Sequence, residues 1–167
     1  MEWLLVAGVI LLSGFFSGSE MAFVTANKLK LEVASRKNGL ISSSIGFFSK
    51  NPDTFITRTL VGNNIVNVVY ATLMAFFLVD PIYHYFDLWF GIEPSGFQVL
   101  AIQTILASLL IMLFGEVLPK AIFRAQADTL VKIIATPLRL FYWIFRPLII
   151  LANSSSNVLI KWLVPDA

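Results

Sequence analysis

No lysine or arginine occurs in residues 1–27 or in residues 59–119, and most of what fills those two gaps is apolar. Soluble domains spread about 25% charged residues over their surface, whereas this chain has 13% charged and 57% hydrophobic residues. Its mean hydropathy is +0.81. Three runs reach the roughly 20 apolar residues that a bilayer crossing needs: about 3–25, about 55–79 and about 97–118. Glu2 precedes the first run, where a cleaved signal peptide would carry bases, so that span is expected to be retained. The fold class expected is an all-α membrane protein with three transmembrane helices, forming a single membrane domain over 1–167 in a multi-pass cell (plasma or inner) membrane.

The charges that remain set an orientation. Lys28, Lys30, Arg36, Lys37, Lys50 and Arg58 crowd the connector 26–54 and the start of the second span, against Glu32 and Asp53. The loop 80–96 has Asp80, Asp87 and Glu93 and no base. Lys120, Arg124 and Lys132 follow the third span. Basic loops stay in the cytoplasm, so the N-terminus and the 80–96 loop are expected outside and the C-terminus inside. Tyr83, Tyr85, Phe86, Trp89 and Phe90 suit the outer interface, where amphipathic rings settle.

Two further segments are read as helices on the cytoplasmic side. Residues 28–50 form a connector with a short amphipathic helix, ended by Asn51-Pro52. Residues 134–163 are apolar but interrupted by Arg139, Arg146, Lys161, Pro137 and Pro147. Arg139 and Arg146 are two helical turns apart and share a face, which favours a juxtamembrane helix in the interface over a fourth crossing.

The polar residues inside the spans carry the functional reading. An ionisable group at mid-bilayer costs at least about 2.5–3.5 kcal/mol and ordinarily faces a cavity or a partner. Glu20 lies in Phe16-Ser17-Gly18-Ser19-Glu20, and Glu116 in Gly115-Glu116-Val117-Leu118-Pro119. Pro119 has no N–H for the carbonyl of Gly115 four residues back, so a kink there would free that oxygen beside Glu116. Asn63 and Asn67 share one face of the second span. Ser13 and Ser17 share a face of the first, as do Gly14 and Gly18. Hydroxyl, amide, carboxylate and freed carbonyl are hard oxygen donors suited to Mg²⁺, Ca²⁺, Mn²⁺ or Na⁺. The plainer reading is that these groups only hydrogen-bond helices together, at about 1 kcal/mol per contact. The chain has no cysteine and its single histidine, His84, sits in the 80–96 loop. Thiol chemistry, His clusters and an HExxH site are thereby excluded, and neither an enzyme nor a nucleic-acid partner is expected.

At these residues the chain resembles a known family. FFSGSEMAF, NPDTFITRTLVGNNIVN and FGEVLPKAIF resemble the transmembrane domain of the CorC/CNNM cation transporters, including bacterial hemolysin-C-like membrane proteins. The resemblance covers essentially the whole chain. It implies a homodimer of three-span subunits with a cytoplasmic juxtamembrane helix, exporting Mg²⁺ in exchange for Na⁺. Family members join this domain to cytosolic CBS domains that bind adenine nucleotide; the chain ends at Ala167 without them, as an isolated membrane domain or a truncated chain would. Carried onto matching positions, the metal ligands are drawn from Ser17, Ser19, Glu20, Asn63, Asn67, Glu116 and the Gly115 carbonyl. Eukaryotic relatives read SGLN where this chain has Ser17-Gly18-Ser19-Glu20, so the match is looser at Ser19 and Glu20. The alternative function is a cation-sensing membrane anchor for cytosolic regulatory domains, without flux of its own.

Overall fold

The computed structural model describes residues 2–141 and 144. Its elements are α1 (Glu2–Thr25), α2 (Lys28–Ser35), α3 (Leu40–Lys50), α4 (Pro52–Phe77), α5 (Val79–Phe90), α6 (Gly96–Leu110), a π-helical segment (Ile111–Val117) and α7 (Leu118–Ala125). An eighth helix, α8, follows over 127–141. All regular structure among the described residues is helical. Among the described residues, three continuous helices are long and apolar enough to cross a membrane: Glu2–Thr25, Pro52–Phe77 and Gly96–Ala125.

Local chemistry fixes where these helices begin. The Asn27 side chain accepts from the N–H groups of Leu29 and Lys30 at 3.0 and 3.3 Å, capping α2 immediately after α1 ends. Pro52 opens α4, where its missing N–H costs nothing. Ser95 and Gln98 form a capping box at the start of α6. The acidic aromatic stretch after the second span is itself the helix α5, and the basic connector holds two helices, α2 and α3, rather than one.

The centre of the bundle is α1, which packs against α4, the π segment and α7. Glycine makes the close approach to α7: a Cβ on Gly14 would lie 2.8 Å from Pro119 Cγ, and one on Gly18 would lie 2.7 Å from the Phe123 ring. The Gly14/Gly18 pair thus accommodates the third span. In lipid, such packing and interhelical hydrogen bonds replace the hydrophobic drive. The Tyr70 hydroxyl donates to the Ala107 carbonyl at 2.9 Å, and Gln103 Nε2 donates to the Met74 carbonyl at 3.1 Å, binding α4 to α6. The third span turns Leu100, Ile105, Leu109, Met112 and Leu113 outward, as a lipid-facing surface requires.

Two apolar cores result. One gathers Val6, Tyr70, Met74, Leu78, Ile82 and Val99 at the α5 end. The other gathers Ala22, Leu31, Phe48, Phe55, Val131 and Leu138 at the α2–α3 end. The polar layer lies between them.

Helix α8 doubles back along α1. The Asn27 N–H donates to Asp128 Oδ1 at 2.9 Å, and Lys30 Nζ pairs with Asp128 Oδ2 at 2.6 Å. At its other end the Phe141 ring lies 5.2 Å from Phe16 and 6.2 Å from Phe15. Ala127, Val131, Ile134, Ala135 and Leu138 form its buried stripe. The interfacial helix expected over 134–163 falls largely outside the described residues; its described part, 134–141, returns beside α1, and Arg139 turns to Ser43 and the Phe47 ring of α3.

The Asp128 latch has a pH consequence. The Lys30 ammonium, then the Asn27 N–H, hold the Asp128 carboxyl below its ordinary value. A lowered folded-state pKa gives stabilisation that is present above the ordinary carboxylate range and is lost as pH falls through the lowered value. Asp128→Asn should therefore reproduce the acid form at neutral pH. Hydrogen exchange should quicken at residues 27–31 in that variant; unchanged protection would show that the latch does not hold α2.

Candidate functional site

The polar layer forms where α1, α4 and the π segment meet. Ser13 is fully buried on α1. Its Oγ lies 2.8 Å from Asn67 Oδ1 and 3.1 Å from Asn63 Oδ1, so one turn of α4 presents two amide oxygens to one hydroxyl. A hydroxyl has a single hydrogen to donate. Three oxygens therefore converge with one proton among them, and one of the two O···O approaches is left without a bridge. A rotated Asn63 amide would fill that deficit with an N–H; a cation would fill it with positive charge.

Glu116 adds the negative charge. It is half-buried, and Asn67 Nδ2 reaches its Oε1 at 3.5 Å, the outer limit of a hydrogen bond. Gly115 is buried against the same cluster: a Cβ there would lie 3.0 Å from Ser13 Oγ and 2.6 Å from Ile111 Cδ1. Sequence reasoning expected a proline kink at this point. The backbone instead takes a wider turn, with the Leu118 N–H bonding the Leu113 carbonyl five residues back. Pro119 has no N–H to offer either Phe114, five residues back, or Gly115, four back. π-helical turns inside α-helices are frequent at functional sites.

Ser17 lies one turn beyond Ser13 on the same face of α1. It is fully buried, and its Oγ has no hydrogen-bond partner among the described residues. An orphaned buried hydroxyl costs about 1–3 kcal/mol, so its place next to the oxygen cluster is consistent with a ligand atom. The structure thus brings together Asn63, Asn67, Gly115 and Glu116, with Ser17 one turn away. Ser19 and Glu20 are not brought to this cluster. The Ser19 hydroxyl donates to the Phe15 carbonyl of its own helix. Glu20 is half-buried and roughly 10 Å further along α1 than Ser13. Ser13 is the member absent from the candidate ligands. Its shared face with Ser17 was the only signal, and the register between α1 and α4 that makes it central is a tertiary property.

No three His, Cys, Asp or Glu side chains converge among the described residues. A cation in this layer would meet one carboxylate and several neutral oxygens. Ser13→Ala removes the hydroxyl that joins two buried amide oxygens and should lower stability by about 1–3 kcal/mol. Thermal unfolding in detergent tests this; a wild-type midpoint would mean that Ser13 does not join the two helices.

Three lipid-length helices closed around a buried polar layer define a multi-pass integral membrane domain. Within that class, the profile of the cyclin M transmembrane N-terminal domain matches residues 4–165, and the chain belongs to that family. It is 25% identical over 153 residues to the UPF0053 inner membrane protein YfjD of Escherichia coli (strain K12), covering 90% of this chain and 32% of that protein. It is 28% identical over 149 residues to the UPF0053 protein sll1254 of Synechocystis, covering 89% and 39% respectively. It is 24% identical over 149 residues to the polyamine export protein of Salmonella typhimurium, covering 89% and 33%. The chain spans between about a third and two fifths of the length of these relatives. Of the three names, one denotes an exporter and none an enzyme.

Proposed function

We propose that this domain carries Mg²⁺ across the membrane through the oxygen layer between α1, α4 and the π segment, outward and in exchange for Na⁺. The observation that carries the proposal is the convergence of Ser13, Asn63 and Asn67 oxygens one proton short, with Glu116 supplying charge. The orphaned Ser17 hydroxyl supports it. Mg²⁺ takes oxygen ligands and gives up water reluctantly, so it would keep several waters beside these groups.

The charge pattern supports an orientation in which α2, α3 and the C-terminus face the cytoplasm and α5 faces outside. The π segment supplies a means of movement. Converting its wide turn to α-helical spacing turns one flank against the other by about one residue, near 100°, and would swing Glu116 relative to Asn67. A second copy of the chain and cytosolic CBS domains complete the proposed assembly, in keeping with the greater length of the relatives.

The relative named a polyamine export protein favours a second reading, in which the substrate is an organic cation. Ammonium groups would donate N–H bonds to the same oxygens. Thermal protection of the purified protein separates the two. Mg²⁺ should raise the midpoint in wild type and not in Asn67→Ala, with spermidine giving little effect. Protection by spermidine alone would move the assignment to organic cations, and protection by neither would sink the site.

A further inference from the structure

A second feature lies away from the oxygen layer. A groove of about 950 Å³ opens at the α2–α3 end, bordered by Phe23 on the last turns of α1 and Pro52 at the first turn of α4. The groove therefore sits where two spanning helices leave the bilayer, at head-group level. Phe23, Leu31 and Phe47, members of one apolar cluster, give its lining an apolar part.

Its walls are cationic. Lys28 comes from α2 and Arg36 from its C-cap, Lys50 from the end of α3 and Arg139 from α8, against the single acid Glu32. Glu32 is already paired, with Arg36 at 2.7 Å. Lys28, Lys50 and Arg139 make no ion pair among the described residues. Arg139 donates to the neutral Ser43 hydroxyl at 2.8 Å and lies 5.6 Å from the centre of the Phe47 ring. Ser35, Ser42 and Ser49 add hydroxyls to the same walls. Three cations from three helices border a groove whose single carboxylate, Glu32, is already paired with Arg36, and they complement a bound anion. Hydroxyls and ammonium groups around it fit phosphate oxygens.

We infer that this groove binds the phosphate head group of an anionic phospholipid from the bordering leaflet, with the glycerol and upper acyl carbons on Phe23, Leu31 and Phe47. Basic pockets between helices at a membrane face recognise anionic head groups in this way. A lipid fits better than a soluble phosphate compound because Phe23, Leu31 and Phe47 add an apolar lining that begins on α1 itself. Bound there, the lipid bridges α2, α3 and α8, joining the connector to the segment that runs back along α1.

The test is native mass spectrometry of the whole chain in detergent, with added phosphatidylglycerol or phosphatidylcholine. Phosphatidylglycerol should be retained and phosphatidylcholine lost. Lys28→Gln with Lys50→Gln removes two cations whose side chains make no hydrogen bond among the described residues, and should weaken phosphatidylglycerol binding about tenfold or more. Lys37→Gln with Lys132→Gln, bases outside the groove, should leave it unchanged. Equal retention of the two lipids, or equal weakening by both pairs, would overturn the site. Saturable binding of inorganic phosphate to lipid-free protein, lost in Lys28→Gln with Lys50→Gln, would overturn the lipid as occupant.

Discussion

Glu116→Gln should weaken Mg²⁺ binding by at least about a hundredfold while leaving the cation-free fold intact. Glutamine keeps the length of the side chain and an oxygen donor but removes the one negative charge that the polar layer holds. Removing one partner of a buried ion pair costs about 3–5 kcal/mol, and each 1.4 kcal/mol is tenfold. The cation-free protein loses little, because the contact from Asn67 to Glu116 is long at 3.5 Å and a glutamine oxygen can still accept it. Isothermal titration calorimetry in detergent measures the affinity, and the unfolding midpoint without Mg²⁺ serves as the folding control. An affinity within threefold of wild type would remove Glu116 from the ligand set.

Gly62→Val should destabilise the bundle by separating α1 from α4. A Cβ at Gly62 would lie 2.6 Å from Phe16 Cε1 and 2.8 Å from Cδ1. Phe16 cannot swing aside: it is 1% exposed, with the Phe15 and Phe141 rings at 5.5 and 5.2 Å. Overpacking of this kind costs about 1–3 kcal/mol, occasionally more, and valine adds two methyl groups to the clash. The residue precedes Asn63, so separating α1 from α4 here should also reduce Mg²⁺ protection. Gly8→Ala is the matched control. Among the described residues nothing lies within 4 Å of its Cβ position, and alanine favours a helix interior over glycine by about 1 kcal/mol. A wild-type midpoint for Gly62→Val would contradict the close packing of α1 on α4.

How much of this was legible beforehand follows from which forces act locally. A bilayer demands unbroken apolar length, so the spans about 3–25, 55–79 and 97–118 lie close to α1, α4 and the start of the third helix. The third helix continues to Ala125 because α7 packs on Gly14 and Gly18, a contact the apolar run does not record. Asn63, Asn67 and Glu116 stood out because an apolar span makes any polar group conspicuous. Ser13 did not, since single hydroxyls are common in spans and its importance lies in the register between α1 and α4. Ser17 and Ser19 both stood among the candidate ligands, with the looser match at Ser19; the Ser19 hydroxyl is satisfied within its own helix, and that of Ser17 has no partner among the described residues. Pro119 marked a defect but could not say whether the backbone would kink or widen. The path of α8 was hidden because small side chains such as Ala127 and Ala135 give a weak apolar signal, while the arginine at 139 suggested a surface.

The central claim is that the oxygen layer passes a cation rather than merely joining helices or sensing an ion. Proteoliposomes holding Mg²⁺ and an entrapped Mg²⁺ indicator test it most directly, with Na⁺ imposed on the opposite side. Wild type should move Mg²⁺ against the Na⁺ gradient, and Glu116→Gln should show no flux above protein-free vesicles. Mg²⁺ protection of the wild type without any flux would mean a sensor or anchor instead, and wild-type flux through Glu116→Gln would contradict the site.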